Sequence, residues 1–248
     1  METARIADSL ASWVKSEVEG AGADGIVFSL SGGVDSAVVA ALAKKAFPED
    51  HLALVLPLHT AAADVDDARR VVDAFTLNER TIELDPVYDT MTRVLGDTAE
   101  AEAEPDLALA NLQARLRMLV LYYHANRRRY LVAGTGNRSQ LSIGYFTKFG
   151  DGGADLMPLG HLVKSEVVEL ARCLNVPQAV IDKPPCADTW HGHTDEAELG
   201  FSYEQLEQFV LGSLEDETVR ERITSLRRSS SHKLRTPKLP PPISAMSR

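Results

Sequence analysis

Short apolar runs alternate with longer segments of helical period along this chain, and few folds accept that pattern. Residues 25–30, 51–56, 81–84 and 130–133 read as strands, and residues 35–47, 65–75 and 107–126 read as the helices between them. An opening helix over residues 6–19 places Ile6, Leu10, Trp13 and Val14 at spacings of three and four, and Gly20 and Gly22 end it. A further helix spans residues 164–174, with Asn175 at its end. Strands that alternate with helices imply the α/β class: a doubly wound, mostly parallel, Rossmann-like sheet with helices on both faces. Ligands of such sheets sit beyond the carboxyl ends of the strands, so chemistry is expected just after them.

The 248 residues, 44% hydrophobic and 25% charged, suit one domain over 1–226 followed by a basic, Pro-rich tail over 227–248. The tail carries Arg227, Arg228, Lys233, Arg235, Lys238 and Arg248 with no Asp or Glu. Such a segment either is solvated or closes over an anionic ligand. A formal net charge of -10 argues against a nucleic-acid partner. No apolar run is long enough to span a bilayer and the N-terminus does not read as a signal peptide, so no membrane association and a cytoplasmic location are expected. Cys173 and Cys186 are too few for a disulfide framework and fit a reducing compartment.

The strongest local signal is Ser31-Gly32-Gly33-Val34-Asp35-Ser36, between a strand and a helix. Its glycines let the backbone turn sharply and aim N–H groups inward. The helix start adds free N–H groups and the positive end of its dipole, and Ser31 and Ser36 add hydroxyls. The result is a pyrophosphate cradle. Asp35 repels phosphate and makes sense where a divalent cation lies between them. A plain glycine turn with an Asp/Ser cap is the simpler alternative. The segment lacks the Gly-Lys-Ser/Thr ending of a Walker loop. It resembles the loop of the adenine-nucleotide alpha-hydrolase superfamily, whose members cleave ATP between its α and β phosphates.

The middle of the chain narrows the resemblance. Asn111-Leu112-Gln113-Ala114-Arg115, Gly134-Thr135-Gly136-Asn137-Arg138-Ser139, and the run from Gly144-Tyr145-Phe146-Thr147-Lys148 to Asp151-Gly152-Gly153-Ala154-Asp155 are similar to NAD synthetase segments. Lys164, Lys183-Pro184-Pro185, Thr194-Asp195-Glu196 and His232-Lys233 follow in that family's order. The resemblance implies an ATP-dependent, AMP-forming ligase that joins ammonia to nicotinic acid adenine dinucleotide through an acyl-adenylate. It implies ATP binding by Ser31, Gly32, Gly33, Val34, Asp35, Ser36, Thr135, Lys164 and Cys186. Substrate would be held by Asn111, Arg115, Tyr145, Lys148, Asp155, His232 and Lys233. Mg²⁺ would be held by Asp35 and Gln140, and the chemistry would be carried by Asp35, Lys164 and Asp151. A homodimer with substrate across its interface is also implied. Tyr145 and Phe146 suit stacking on a pyridine ring, although core packing explains Phe146 equally well. Residues 183–200 and the tail are the expected lid.

Two positions depart from the family pattern. Gln140 stands where a metal-binding glutamate is usual and loses a charge. Cys186 stands where Ser or Thr is usual and donates more weakly. Two other functions therefore stay open at this point: an amide ligase acting on a different carboxylate, and a nucleotide-binding protein without turnover.

Overall fold

Ile26, Val27 and Phe28 are successive residues, and none is more than 1% exposed. In a strand this requires apolar cover on both faces of the sheet. The computed structural model, which describes residues 2–96, 106–185 and 194–241, supplies that cover. Strands β1 (Gly25–Ser29), β2 (His51–Val55), β3 (Glu79–Thr81) and β4 (Tyr130–Ala133) pair in the order β3-β2-β1-β4, all parallel. The helices are α1 (Glu2–Gly20), α2 (Val34–Ala46), α3 (Ala62–Phe75), α4 (Asp85–Leu95), α5 (Leu107–Arg128), α6 (Arg138–Ile143) and α7 (Lys164–Cys173). They continue as α8 (Gln178–Ile181), α9 (Asp195–Leu199), α10 (Tyr203–Leu211) and α11 (Glu217–Ser230), with a 3-10 turn at Ser231–Leu234.

Side chains alternate across the sheet as the strand period requires. Ile26, Phe28, Ala53 and Val55 pack with α1, α2, α3, α7 and α8. Val27, Leu52, Leu54 and Val132 pack on the other side with Tyr88 of α4 and with Leu121 and Ala125 of α5. A smaller core gathers Ile143 of α6 with Leu199, Phe201, Tyr203, Leu206 and Ile223, and so docks α9–α11 against α6. The boundary expected at 226/227 falls inside α11, which runs unbroken to Ser230. No helix among the described residues is long and apolar enough to cross a membrane.

The third strand differs from the sequence reading. It spans Glu79–Thr81 rather than 81–84, and all of its residues are exposed on the sheet edge. The apolar pair behind that expectation lies just past it: Ile82 and Leu84 pack on the α4/α5 side. From β1 the chain steps outward to β2 and β3, then returns to the far side of β1 for β4. That reversal opens a crevice beyond the carboxyl ends of β1 and β4. The Gly-rich segment follows β1, and Gly134-Thr135 follows β4.

Candidate active site

A cavity of about 820 Å³ occupies this crevice, walled by the β1–α2 loop, Thr135, α5, the 143–153 loop, Lys164, Lys183 and the end of α11. The β1–α2 loop is stitched to itself. Ser36 Oγ donates to Gly33 O (2.9 Å) and accepts from the Ser31 N–H (3.2 Å), while the Gly33 N–H meets Ser31 Oγ at 3.3 Å. No side chain caps α2, so its first N–H groups face the cavity end of the loop unspent. Gly32 has φ +84, and a Cβ there would lie 2.4 Å from Asp64 O; glycine alone lets α3 pack this closely. Ser31, Gly33, Val34, Asp35 and Ser36 line the cavity, and Gly32 supports them from behind.

Asp35 is the charged centre of this half. Its Oδ2 lies 2.5 Å from Lys164 Nζ, and its Oδ1 accepts from Asn137 Nδ2 at 3.2 Å. Lys164 is 7% exposed, a burial that lysine tolerates only when its charge is paired. Asn137 is held by a capping box. Its Oδ1 accepts from the Gln140 N–H (3.1 Å), while Gln140 Oε1 accepts from the Asn137 N–H (3.2 Å). Gln140 thus lines the cavity with one of its oxygen lone pairs already engaged. Among the described residues no group of three or more His, Cys, Asp or Glu converges as a metal site. One carboxylate and one amide oxygen fit a cation that is completed by substrate phosphates and water, as Mg²⁺ prefers.

The other half is set by the 143–153 loop. Asn111 Oδ1 accepts from Thr147 Oγ1 (2.6 Å), and Arg115 reaches Lys148 O at 3.4 Å. Lys148 Nζ donates to His232 O (2.7 Å), while Lys233 Nζ donates to Gly144 O and Phe146 O (2.8 Å each) and lies 5.5 Å over the Phe146 ring. The basic end of α11 and the turn after it therefore close one side of the cavity. Tyr145 turns its hydroxyl to Glu198 (2.6 Å) and Asp195 (3.3 Å). Asp151 meets the cavity with an exposed side chain, whose carboxylate accepts from the Thr147 N–H at 2.7 Å. Burial pushes Lys233 down, against Asp151 and Glu198.

The cavity thus brings together Asn111, Arg115, Thr135, Gln140, Tyr145, Lys148, Asp151, Lys164, His232 and Lys233 with the phosphate loop. Asp155 stands outside its wall. That carboxylate accepts from the Val132 N–H (2.8 Å) and the Tyr122 hydroxyl (3.0 Å), tying the loop to β4. Cys186 lies outside the described residues. Several wall residues carried no role in the sequence reading. Lys183 pairs with Asp64 and lies 3.4 Å from Asp67, beside the phosphate loop. Arg117 donates to Leu56 O (3.1 Å) and Thr60 Oγ1 (3.3 Å). Asp195 also lines the wall; its segment Thr194-Asp195-Glu196 carried the resemblance but no stated role, and Asn137, readable as the start of an Asn-x-x-Gln capping box, lies buried behind Asp35.

This arrangement joins the Gly-rich β1–α2 loop to a second half that carries Arg115, Lys148 and Lys233 in one cavity. A family model described as NAD synthase matches residues 6–237. An NH(3)-dependent NAD(+) synthetase of Carboxydothermus hydrogenoformans is 44% identical over 233 residues, covering 94% of this chain and 96% of that protein. The structure of NMN synthetase from Francisella tularensis superposes with a TM-score of 0.91 at 35% identity, covering 97% of this chain and 99% of that one. The NH3-dependent NAD synthetase of Campylobacter jejuni gives 0.79 at 28% identity, covering 96% and 99%. Cavity, sheet order and sequence agree, and the chain belongs to the NAD synthase family.

Proposed function

We propose that this chain is an ammonia-dependent NAD synthetase that amidates nicotinic acid adenine dinucleotide through an acyl-adenylate. The observation that carries the reading is the single cavity joining the Ser31-to-Ser36 cradle to Arg115, Lys148, Asp151 and Lys233. The substrate carboxylate attacks the α-phosphorus of ATP and pyrophosphate leaves. Ammonia then attacks the adenylate carbonyl and AMP leaves with a carboxylate oxygen. The loop N–H groups, the start of α2 and Lys164 hold the phosphates where charge develops. Asp151, a carboxylate on the cavity wall, is placed to take the proton that ammonia loses. Asp35 and the Gln140 carbonyl would hold Mg²⁺, which when bound draws electron density from the phosphates. Alignment of two bound reactants supplies much of the rate.

Coupled assay of NAD and AMP from ATP, the dinucleotide acid, ammonium and Mg²⁺ tests this reading. Equal amounts of NAD and AMP are expected; no ATP cleavage, or AMP without NAD, contradicts it. Nicotinic acid mononucleotide is the comparison acid, because the Francisella relative is an NMN synthetase. A higher kcat/KM for the mononucleotide would move the substrate to that acid.

Gln140→Glu keeps the capping box, since Glu serves there as well as Gln, and restores an anion beside Asp35. The Mg²⁺ concentration for half-maximal rate falls about tenfold, ~1.4 kcal/mol, in a metal titration of the two proteins. An unchanged requirement would place the metal away from residue 140.

A homodimer is proposed as well. Val87, Met91, Val94 and Leu95 of α4, with Leu119 and Tyr123 of α5, leave an exposed apolar face. Exposed Asp155 lies beside Tyr122 of α5, so substrate bound across the interface would meet it. Sedimentation equilibrium should give twice the chain mass; a monomer at working concentrations refutes it.

A further inference from the structure

We propose that Asp195 and Tyr203 are positioning residues that aim Lys164 at the ATP phosphates, acting from α9 and α10 outside the nucleotide loop. The proposal rests on Lys164 being a phosphate-binding group.

Lys164 Nζ touches Asp35 on one side and lies 5.6 Å from the centre of the Tyr203 ring on the other. The Tyr203 hydroxyl donates to Asp195 Oδ2 at 2.7 Å, and Tyr145 approaches Asp195 Oδ1 at 3.3 Å. Asp195 is 3% exposed, a carboxylate held by neutral hydroxyls. Burying an anion in this way is costly unless its charge acts on something nearby. Lys164 is that cation; its charge opposes the upward push that burial gives the Asp195 carboxyl.

The backbone is gripped from the same helix. Glu207, one turn beyond Tyr203, accepts from the Ser165 N–H and hydroxyl at 2.7 Å each, and the Lys164 N–H meets Ser139 Oγ at 3.2 Å. Two α10 side chains four residues apart therefore bracket Lys164. When Asp35 turns to a metal, the lysine loses its one short carboxylate contact, and a long side chain is free to wander. The aromatic face, fixed by Asp195, keeps the ammonium aimed into the cavity.

The test is a double-mutant cycle read by calorimetry. The probe is α,β-methylene-ATP with Mg²⁺ and the whole chain, so the identity of the acid does not enter. Asp195→Asn should weaken binding about tenfold and Tyr203→Leu similarly. Tyr203→Phe, which keeps the ring, should weaken it only about threefold. In a Lys164→Met background, Asp195→Asn should change the Kd less than about twofold. Equal weakening in both backgrounds, or none in either, overturns the proposal. If Asp195→Asn does not fold, Tyr203→Leu in the same cycle decides between the same outcomes. Wild-type protein that binds no analogue overturns the nucleotide-site reading itself, a result distinct from additive effects.

Discussion

Asp35→Asn lowers kcat/KM by about three orders of magnitude, ~4 kcal/mol of transition-state stabilisation, without unfolding the protein. Asp35 is the one carboxylate at the head of α2 in the phosphate loop, fixed by Asn137 and Lys164. Asparagine fills its volume and can still accept from one of the two donors, Asn137 Nδ2 or Lys164 Nζ, but it cannot anchor a divalent cation or balance Lys164. Breaking a mostly buried pair also costs stability, because Lys164 remains as an unmatched charge. Adding Lys164→Met to Asp35→Asn should restore the denaturation midpoint while leaving activity at the floor. Chemical denaturation and steady-state rates of the single and double variants separate the two effects. Near-wild-type turnover in Asp35→Asn would remove the metal from this loop.

Gly144→Ala is expected to be nearly as damaging for a different reason. Gly144 ends α6 with φ +66, and a Cβ there would lie 2.3 Å from Ser230 Cβ and 2.5 Å from its Oγ. This is where α11 docks: Ser230 Oγ donates to Ile143 O at 2.6 Å, and Lys233 Nζ donates to Gly144 O. Left-handed backbone costs alanine about 1 kcal/mol and the overpacked contact ~2 more. The total is about 3 kcal/mol, unless α11 swings away. If it swings, His232 leaves Lys148 and Lys233 leaves the cavity wall, so KM for the acid substrate should rise more than about tenfold. Adding Ser230→Gly removes the clash but not the strain, and should recover part of the loss. A Gly144→Ala enzyme with normal KM would show that α11 does not shape the acid half of the cavity.

The sheet was legible where burial and turn chemistry agreed. Gly25–Ser29 was readable because it is apolar on both faces and ends in a glycine turn, and Leu107–Arg128 because its period persists for several turns. The edge strand was not, since Glu79, Arg80 and Thr81 show no alternation and exposed pairing leaves none to see. The helices around the smaller core were missed although their caps are present: Thr194, Ser202 and Asp216 each accept from a first-turn N–H. α9 is only five residues long, and the charged residues of α11 outnumber the apolar ones that it turns to the small core, Val219, Ile223 and Leu226. The phosphate loop was readable for the same reason as β1. The grip of α10 around Lys164 was not, because Tyr203 meets the lysine and Glu207 meets the neighbouring Ser165 only through the fold. Asp155 shows a second role that sequence does not reveal: within one chain its two oxygens tie the loop to β4 and α5.

The central claim is that a carboxylate oxygen passes to AMP. The direct measurement uses nicotinic acid adenine dinucleotide with ¹⁸O in the nicotinate carboxylate, turned over with ATP, ammonium and Mg²⁺, and mass spectrometry of the products. Adenylation predicts one ¹⁸O in AMP and none in pyrophosphate. Label in pyrophosphate or inorganic phosphate, or NAD formed with unlabelled AMP, would contradict it.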